Sequence, residues 1–393
     1  MTDEGKYCWR ALLVIVAGGF AKAFVQGLLA AALVFMAVTP GVGSGYLAVF
    51  AGLGAASQII SSLVSAFLAE RFGLRRVIVA SGVLLFGSAV LFFVTSGGIS
   101  WMVANVTKGL FFGVAAAVLP VLMTATVSSD HIGRASGMFQ LSQQVGGVSG
   151  ALAGAAVAAL GGDAPAKALR TDFILMAVPA LAFLLLSVGM RDAVVPGCGQ
   201  TPRKRGEIRW TACGSAVLFM VFMSACGVGT ILEYSVLLLA RHGFDAAAAS
   251  GMSVLVSVLC IAAVALSASL AVRMRESTRV RIGAVGMAVG LTGAALAHGW
   301  PFAVAVALAA VSFSFGPGTC AWGLVPRLIT PRYRTRGTAM AIVAGQLVSL
   351  LLTTAFLPVM DRLGLGFWLV CFGIISAIMA LGASVLEKKV LQA

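Results

Sequence analysis

Three charged side chains, Lys22, Lys108 and Glu233, lie inside long apolar stretches of the chain. A charge at the centre of a bilayer costs at least about 2.5–3.5 kcal/mol even on insertion scales, so such residues usually face a bundle interior or a water-filled cavity. Two cations and one acid leave a surplus positive charge, which favours a substrate with at least one anionic group. We expect Glu233 to be the only carboxylate in the middle of a span, which makes it the predicted carrier of a coupling proton.

The composition places these charges in a membrane protein. Hydrophobic residues make up 60% of the chain and charged residues only 10%, whereas soluble domains carry about 25% charged residues. A spanning helix needs about 20 apolar residues. The sequence predicts twelve such helices, near residues 11–38, 46–69, 77–95, 99–127, 136–160, 171–190, 211–240, 246–272, 280–297, 301–328, 338–360 and 365–386.

Lys and Arg collect on one side of the predicted spans. If both termini are cytoplasmic, the loops of the opposite face hold only Lys167, Arg170, Arg241 and Arg362. Cytoplasmic loops carry this excess in membrane proteins. We therefore expect a multi-pass protein of the cytoplasmic (inner) membrane with both the N- and C-termini inside. The same bias accounts for the net charge of +14 without a nucleic-acid partner.

A polar, basic stretch that contains Pro and Gly divides the chain into two halves of six predicted spans. Arg71 and Arg134 of the first half recur as Arg273 and Arg336 of the second half at one common offset. Such a repeat is typical of two bundles related by an axis along the membrane normal. The predicted domains are an N-terminal six-helix bundle at residues 1–190, a cytoplasmic linker at 191–209 and a C-terminal six-helix bundle at 210–393.

The segment 66–76 carries a family resemblance. It reads Ala-Phe-Leu-Ala-Glu-Arg-Phe-Gly-Leu-Arg-Arg and resembles the loop between the second and third helices of the major facilitator superfamily, usually Gly-x-Leu-Ala-Asp-Arg-x-Gly-Arg-Arg. Ala66, Glu70 and Leu74 depart from that form, and the second-half copy near Arg273 has lost its acid and its glycine. The resemblance implies an all-α integral membrane protein, with twelve transmembrane helices in two six-helix bundles around a central cavity.

The fifth predicted span has closely spaced small residues, including Gly146, Gly150 and Gly154. Small residues let helices approach closely, and the pattern is similar to a motif of the drug/proton antiporter-like branch of the family. That motif places Pro where this chain has Ala151. The stripe therefore favours export, with simple tight packing of helices as the alternative.

In the major facilitator fold the first, fourth, seventh and tenth helices line the central cavity, and the stranded charges fall on three of these helices. From their charges we expect the two lysines to contact an anionic group and the glutamate to carry the proton. The alternative is that Lys22 and Glu233 pair with each other as a buried bridge. The predicted substrate-binding residues are Lys22, Lys108, Glu233, Gln26, Asn105 and Tyr234.

Glu70 lies at the end of a predicted helix, where a carboxylate is unfavourable against the helix C-terminus. In the family the corresponding acid faces the N-terminus of the eleventh helix, here near Gly337, and such a contact favours the state closed to the cytoplasm. A solvated loop end is the alternative. The predicted conformational latch comprises Glu70, Arg71, Gly73, Arg75, Arg76, Arg134 and Arg336.

We predict a secondary active transporter, not an enzyme, that works by alternating access and couples to protons. Export of a small amphipathic anionic or zwitterionic solute is the first interpretation. The alternatives are proton-coupled uptake of an organic anion, a flippase for a lipid or lipid-linked substrate, and a non-transporting membrane sensor. The sequence has no metal-ligand cluster, phosphate loop or nucleophile constellation, so we expect no cofactor besides the proton gradient. The expected partners are a small-molecule substrate and the lipid bilayer, and the expected state is a monomer.

Overall fold

The computed structural model describes residues 3–37, 44–95, 97–161, 165–190, 210–330 and 333–391, and all regular structure in these ranges is helical. The helices of the first half are α1 (Asp3–Ala37), α2 (Ser44–Phe72), α3 (Leu74–Val94), α4 (Ile99–Thr126), α5 (Ile132–Gly161) and α6 (Pro165–Val188). Those of the second half are α7 (Trp210–Ala225), α8 (Val228–Glu233), α9 (Ser235–Arg241), α10 (Ala246–Leu270), α11 (Glu276–Leu296), α12 (Trp300–Phe315), α13 (Pro317–Leu328), α14 (Arg334–Leu363) and α15 (Leu365–Leu391).

Twelve helical stretches among these described residues are long and apolar enough to cross a membrane. Each of them overlaps one predicted span, so the predicted all-α membrane fold is confirmed. The helices α5, α11 and α14 begin about a turn before the predicted spans. The reason is that hydropathy marks only the thickness of the bilayer, whereas a helix continues into the polar interface.

The turns before the fourth and tenth spans repeat the same local conformation. Gly98 precedes α4 with φ 64°, and Gly299 precedes α12 with φ 59°. A residue with a Cβ rarely adopts this left-handed region, so both turns need glycine. This correspondence supports the internal repeat that the arginine spacing predicts.

The described helices form two compact units. Of the described residues, those up to 127 and from 142 to 190 belong to the first unit, and those from 128 to 141 and from 210 onward belong to the second. The beginning of α5 therefore belongs to the second unit and the remainder of α5 to the first. The predicted linker at 191–209 lies outside the described residues, so the predicted domain boundaries stay a prediction.

Aromatic side chains and a hydrogen bond between helices hold the core of the first unit together. The Phe173 ring of α6 stacks on Phe92 of α3 with centroids 4.9 Å apart, and Trp101 of α4 meets it edge-on at 6.0 Å. Ser61 Oγ of α2 donates a hydrogen bond of 2.5 Å to the carbonyl of Leu110 in α4. These contacts fix α4, one of the predicted cavity helices, against its neighbours.

The second unit packs α11 against α12 and α15. A Cβ at Gly290 of α11 would lie 2.7 Å from the backbone nitrogen of Ala309 in α12, and one at Gly373 of α15 would lie 2.6 Å from the Thr292 methyl group. Close approach of backbones through small residues stabilises helix pairs where lipid offers no hydrophobic driving force.

Candidate transport site

Lys108 of α4 is held by the close packing of α4 on α2. A Cβ at Gly109 would collide with Ser57 Oγ, and one at Gly113 would collide with the carbonyl of Gln58. Neither helix can therefore slide past the other without opening this contact. Gly109, the residue after Lys108, therefore fixes the position of Lys108 along α4.

Lys22 of α1 is held in the same manner against α5. A Cβ at Gly146 would lie 2.5 Å from the carbonyl oxygen of Phe20, and a Cβ at Gly150 would collide with the carbonyl of Phe24. These phenylalanines flank Lys22 at two residues on either side. Gly146 and Gly150 of α5 thus serve close packing on α1, which was the alternative to an export motif.

The two lysines lie at similar depth in the first unit. A Cβ at Gly18 would lie 2.9 Å from the Phe183 ring, and that ring lies 5.3 Å from the Phe111 ring, measured between centroids. Gly18, Phe183 and Phe111 thus mark one layer across α1, α6 and α4. Successive spans run in opposite directions, so Lys22 and Lys108 both lie toward the predicted outer side of this layer. At 1.5 Å per residue they are displaced from it by about 6 Å and 4.5 Å along their helices.

The lysines have different surroundings. Lys108 is 6% exposed, and its ammonium nitrogen lies 5.1 Å from the centroid of the Phe112 ring, within the range of a cation–π contact. Lys22 is half-buried. Within the described residues of the first unit, neither lysine forms an ion pair.

Of the polar residues one turn from the two lysines, one is exposed and the other is hydrogen-bonded. Gln26 is exposed on α1, one turn beyond Lys22. Asn105 is buried on α4, and its Nδ2 donates a hydrogen bond of 2.6 Å to the carbonyl of Phe50 in α2. Asn105 therefore contributes to the packing of α2 on α4, and a role in substrate binding stays a prediction.

Glu233 lies in the second unit at the last residue of α8, where the seventh span breaks. Its carboxylate is exposed and accepts a hydrogen bond of 3.1 Å from Thr353 Oγ1 of α14. The hydroxyl of the following Tyr234 donates to the Thr353 carbonyl at 3.2 Å, and its ring stacks on Phe356 at 5.3 Å. The predicted proton carrier is thus hydrogen-bonded to α14 at the point where α8 ends.

The seventh and tenth spans are each interrupted. Gly227, with φ 69°, separates α7 from α8, and Gly316 separates α12 from α13. Pro317 follows Gly316 directly, and proline is a common cause of such a break. Discontinuous helices expose backbone groups near the middle of a membrane, and transporters of this kind often bind substrates and ions there.

Asp172 of α6 is a buried charge that the sequence analysis missed. It is 0% exposed, and neither carboxylate oxygen has a hydrogen-bond partner among the described residues. It lies within the span Ala166–Val188 but near its start, so the expectation that Glu233 is the only carboxylate in the middle of a span stays a prediction. Because Asp172 follows Lys167 and Arg170 closely, the pattern resembled a polar helix start.

A second missed group connects the beginning of α5 to α13 in the second unit. Trp322 Nε1 donates a hydrogen bond of 2.6 Å to Gln140 Oε1, and the Phe139 ring meets the indole edge-on at 5.4 Å. Ser136 Oγ donates to the carbonyl of Thr319 at 2.5 Å. The available signal was that Trp322 lies away from the predicted span ends, where the other tryptophans lie.

The predicted latch residues of the first unit surround the turn between α2 and α3. Gly73 forms that turn with φ 89°. Arg75 Nη2 donates a hydrogen bond of 3.2 Å to the carbonyl of Val188 at the end of α6, and the Arg71 guanidinium lies 5.5 Å from the Phe72 ring centroid. Glu70 and Arg75 are half-buried, and the other latch residues are exposed: Arg71, Gly73, Arg76, Arg134 and Arg336.

The second-half counterpart of this loop keeps its charges at shifted positions. Glu276 forms an ion pair with Arg327 at 3.0 Å. Arg279 is fully buried, and its Nη1 donates to the Ser267 carbonyl and hydroxyl oxygens at 3.1 Å each. A Cβ at Gly133 would lie 3.2 Å from Arg279 Nη2, so the beginning of α5 packs directly on this cluster.

Twelve spans in two compact units, with buried charges and interrupted helices, define a secondary transporter fold. The chain belongs to the Major Facilitator Superfamily, whose family model matches residues 15–353. Family membership also confirms that the chain is a transporter and not an enzyme.

Two curated relatives are similar to this chain. The D-xylose transporter of Levilactobacillus brevis is 21% identical over 414 residues, covering 91% of this chain and 88% of the relative. The glucose transporter HT1 of Trypanosoma vivax is 29% identical over 157 residues, covering 38% of this chain and only 29% of that transporter's length. The drug/proton antiporter-like branch is not confirmed, because these relatives are sugar transporters.

Solved structures agree with the fold. The proton:xylose symporter XylE of E. coli is 18% identical, with a TM-score of 0.81 over 96% of this chain and 95% of its own. The human organic anion transporter MFSD10 is 14% identical, with a TM-score of 0.72 over 98% of this chain and 100% of its own. At these identities the likeness establishes the architecture alone.

Proposed function

We propose that this chain is a proton-coupled transporter that takes up a small organic anion by alternating access. The observation that carries the proposal is the pair Lys22 and Lys108, two cations at similar depth in one unit. Neither has an ion-pair partner within the described residues of that unit. An anionic substrate group would supply the missing partner.

Electrostatics favour this assignment over a purely structural role for the lysines. Lys108 is almost fully buried and its described contact is a cation–π contact with Phe112, which contributes about 0.5–2 kcal/mol. That is less than the cost of placing the charge at membrane depth, about 2.5–3.5 kcal/mol on insertion scales. A carboxylate or phosphate of the substrate would offset the remainder through a charge-assisted hydrogen bond.

Uptake is favoured over export because the argument for export depended on the glycines of α5. Those glycines contact Phe20 and Phe24 of α1, so close packing accounts for them without a motif for direction. XylE, which has the same fold, is a proton symporter. Glu233 remains the proposed proton carrier, since a carboxylate at a helix break can bind and release a proton as the helix moves.

A neutral sugar is the second candidate substrate. The D-xylose and glucose transporters among the relatives favour it, as does the pair Trp322 and Gln140. An indole face suits the apolar face of a sugar ring, and an amide suits its hydroxyl groups.

Uptake into proteoliposomes with an imposed inward proton gradient distinguishes the two substrates. For an organic anion, Lys22→Gln and Lys108→Gln should each lower uptake at least about tenfold, because a hydrogen bond to a charged group contributes about 1.5–3 kcal/mol. Arg362→Gln, an exposed cation elsewhere, is the matched control. If both lysine variants transport within about twofold of wild type and Gln140→Leu does not, the substrate is a neutral sugar and the anion proposal fails.

The remaining predictions are retained as proposals with their own tests. Lipid-linked probes in the same vesicles test the flippase alternative.

Glu70→Gln should shift the distribution between inward-open and outward-open states, measured by distances between spin labels, if Glu70 is part of a cytoplasmic latch. The pairing of Lys22 with Glu233, the monomeric state, the cytoplasmic membrane and the cytoplasmic termini stay predictions.

A further inference from the structure

A separate cavity of about 350 Å³ lies where α3 ends and α6 begins. Its volume is within the range of about 300–1,000 Å³ of small-molecule sites. We call it the Lys167 cavity. It is lined by Phe93, Ala166, Lys167, Arg170, Thr171 and Ile174.

The charge of the Lys167 cavity comes from two cations. Lys167 and Arg170 are exposed, and neither forms an ion pair within the described residues of the first unit. Arg241 of the second unit, another cation of the predicted outer face, is paired with Asp361 at 3.2 Å. The Lys167 cavity also includes the first turn of α6, where backbone N–H groups lack helical partners and the helix dipole favours an anion.

The apolar residues of the Lys167 cavity lie beside these charges. Phe93 is 44% exposed at the end of α3, and Ile174 is 51% exposed one turn deeper than Arg170. Cations at the membrane boundary with apolar side chains directly beneath them match a phosphate group above an acyl chain. A free anion would not need the apolar part.

The opposite end of the same helix pair shows why the Lys167 cavity is distinct. A cavity of about 350 Å³ there is lined by Arg75, Arg76, Val79, Ala80 and Val188. Arg75 already donates to the carbonyl of Val188, so one of its two cations is engaged in holding α6. At the Lys167 cavity, in contrast, the described hydrogen bonds leave both cations for a ligand: the local bond there joins Thr171 Oγ1 to the Lys167 carbonyl.

We propose that the Lys167 cavity binds the phosphate headgroup of an anionic phospholipid in the predicted outer leaflet. Lys167 and Arg170 contact the phosphate oxygens, and Phe93 and Ile174 contact the first acyl carbons. The bound lipid would hold the beginning of α6 against the end of α3.

Native mass spectrometry of the detergent-solubilised protein tests this proposal without a transport assay. Phosphatidylglycerol and phosphatidylcholine of equal acyl length are the probes. We expect wild type to bind phosphatidylglycerol more tightly, and the double variant Lys167→Gln/Arg170→Gln to weaken that binding about tenfold or more. Arg241→Gln, which removes an outer cation that already has a partner, should leave it unchanged.

Three outcomes would overturn the proposal. The first is equal binding of the two lipids by wild type, and the second is unchanged phosphatidylglycerol binding by the double variant. The third is displacement of the lipid by millimolar inorganic phosphate, which would identify a free-anion site. Ile174→Ser separates these chemistries further, since it should weaken lipid binding and leave any binding of inorganic phosphate unaffected.

Discussion

The first unit holds its buried charges on continuous helices, whereas the second unit interrupts two of its spans. Lys22 and Lys108 lie on α1 and α4, which run without a break through the described residues. In the second unit the seventh and tenth spans are divided at Gly227 and Gly316. The comparison indicates that the first unit provides fixed electrostatics and the second provides backbone that can bend.

Glycine allows close packing in both units, and in the second unit it also breaks a span. Gly109 and Gly146 of the first unit, like Gly290 of the second, lie inside helices and allow a neighbouring helix to approach. Gly227 of the second unit adopts a left-handed conformation between α7 and α8. The missing side chain thus permits tight packing in both units, and at Gly227 it also permits a break in the helix.

The largest expected effect tests the assignment of proton coupling to the second unit. Glu233→Gln should reduce accumulation driven by a proton gradient at least about tenfold, because an amide cannot carry the proton, while exchange of substrate without a gradient persists. Parallel measurements of gradient-driven uptake and counterflow in proteoliposomes separate the two activities. Asp361→Asn, which changes an acid paired with Arg241, should transport normally. If proton coupling were unimpaired in Glu233→Gln, Glu233 would not be the residue that carries the proton.

The next effect concerns the break in the seventh span. Gly227→Ala should destabilise the protein by about 2–4 kcal/mol, because a left-handed alanine is strained and its Cβ would collide with the Phe372 ring. Gly229→Ala is the matched control, since a Cβ there meets nothing within 4 Å. Equal apparent melting temperatures for the two variants would contradict the break at Gly227.

A smaller effect tests the rigid packing of the first unit. Gly146→Ala should destabilise by about 1–3 kcal/mol, because its Cβ would lie 2.5 Å from the carbonyl oxygen of Phe20. The adjacent Gly147→Ala places its Cβ in open space and should leave the melting temperature unchanged. If Gly147→Ala were the more harmful substitution, the contact between α1 and α5 would be on a different face.

The smallest effect has the opposite sign. Asp172→Leu should be neutral or stabilising by about 1 kcal/mol, because it removes a buried carboxyl group without hydrogen-bond partners among the described residues.

Asp245→Ala is the comparison variant and should destabilise by about 1 kcal/mol, since Asp245 accepts a hydrogen bond of 2.6 Å from the Ala248 backbone as a helix cap. Thermal unfolding in detergent compares them, and marked loss of stability in Asp172→Leu would reveal a partner for this carboxyl group.

Several site residues could be identified from sequence because membranes make charges conspicuous. Lys22, Lys108 and Glu233 interrupt apolar runs, and no comparison of helices was needed to find them. Asp172 escaped because it lies only about 10 Å into α6, estimated at 1.5 Å per residue, and near other charges. Ser136 and Trp322 escaped because a hydroxyl or an indole in a span is common and becomes informative only through its partner.

The membrane class, the twelve spans and the family could be inferred from the amino-acid sequence, because hydropathy and loop charge are local properties of the chain that govern its insertion into a bilayer. The tertiary structure was needed to find what the small residues and isolated polar groups do. It places Gly146 and Gly150 against the backbone of α1, Asn105 against Phe50 and Trp322 against Gln140. Such assignments depend on which faces of distant helices meet, and rotating one helix by a single residue, about 100°, would change them.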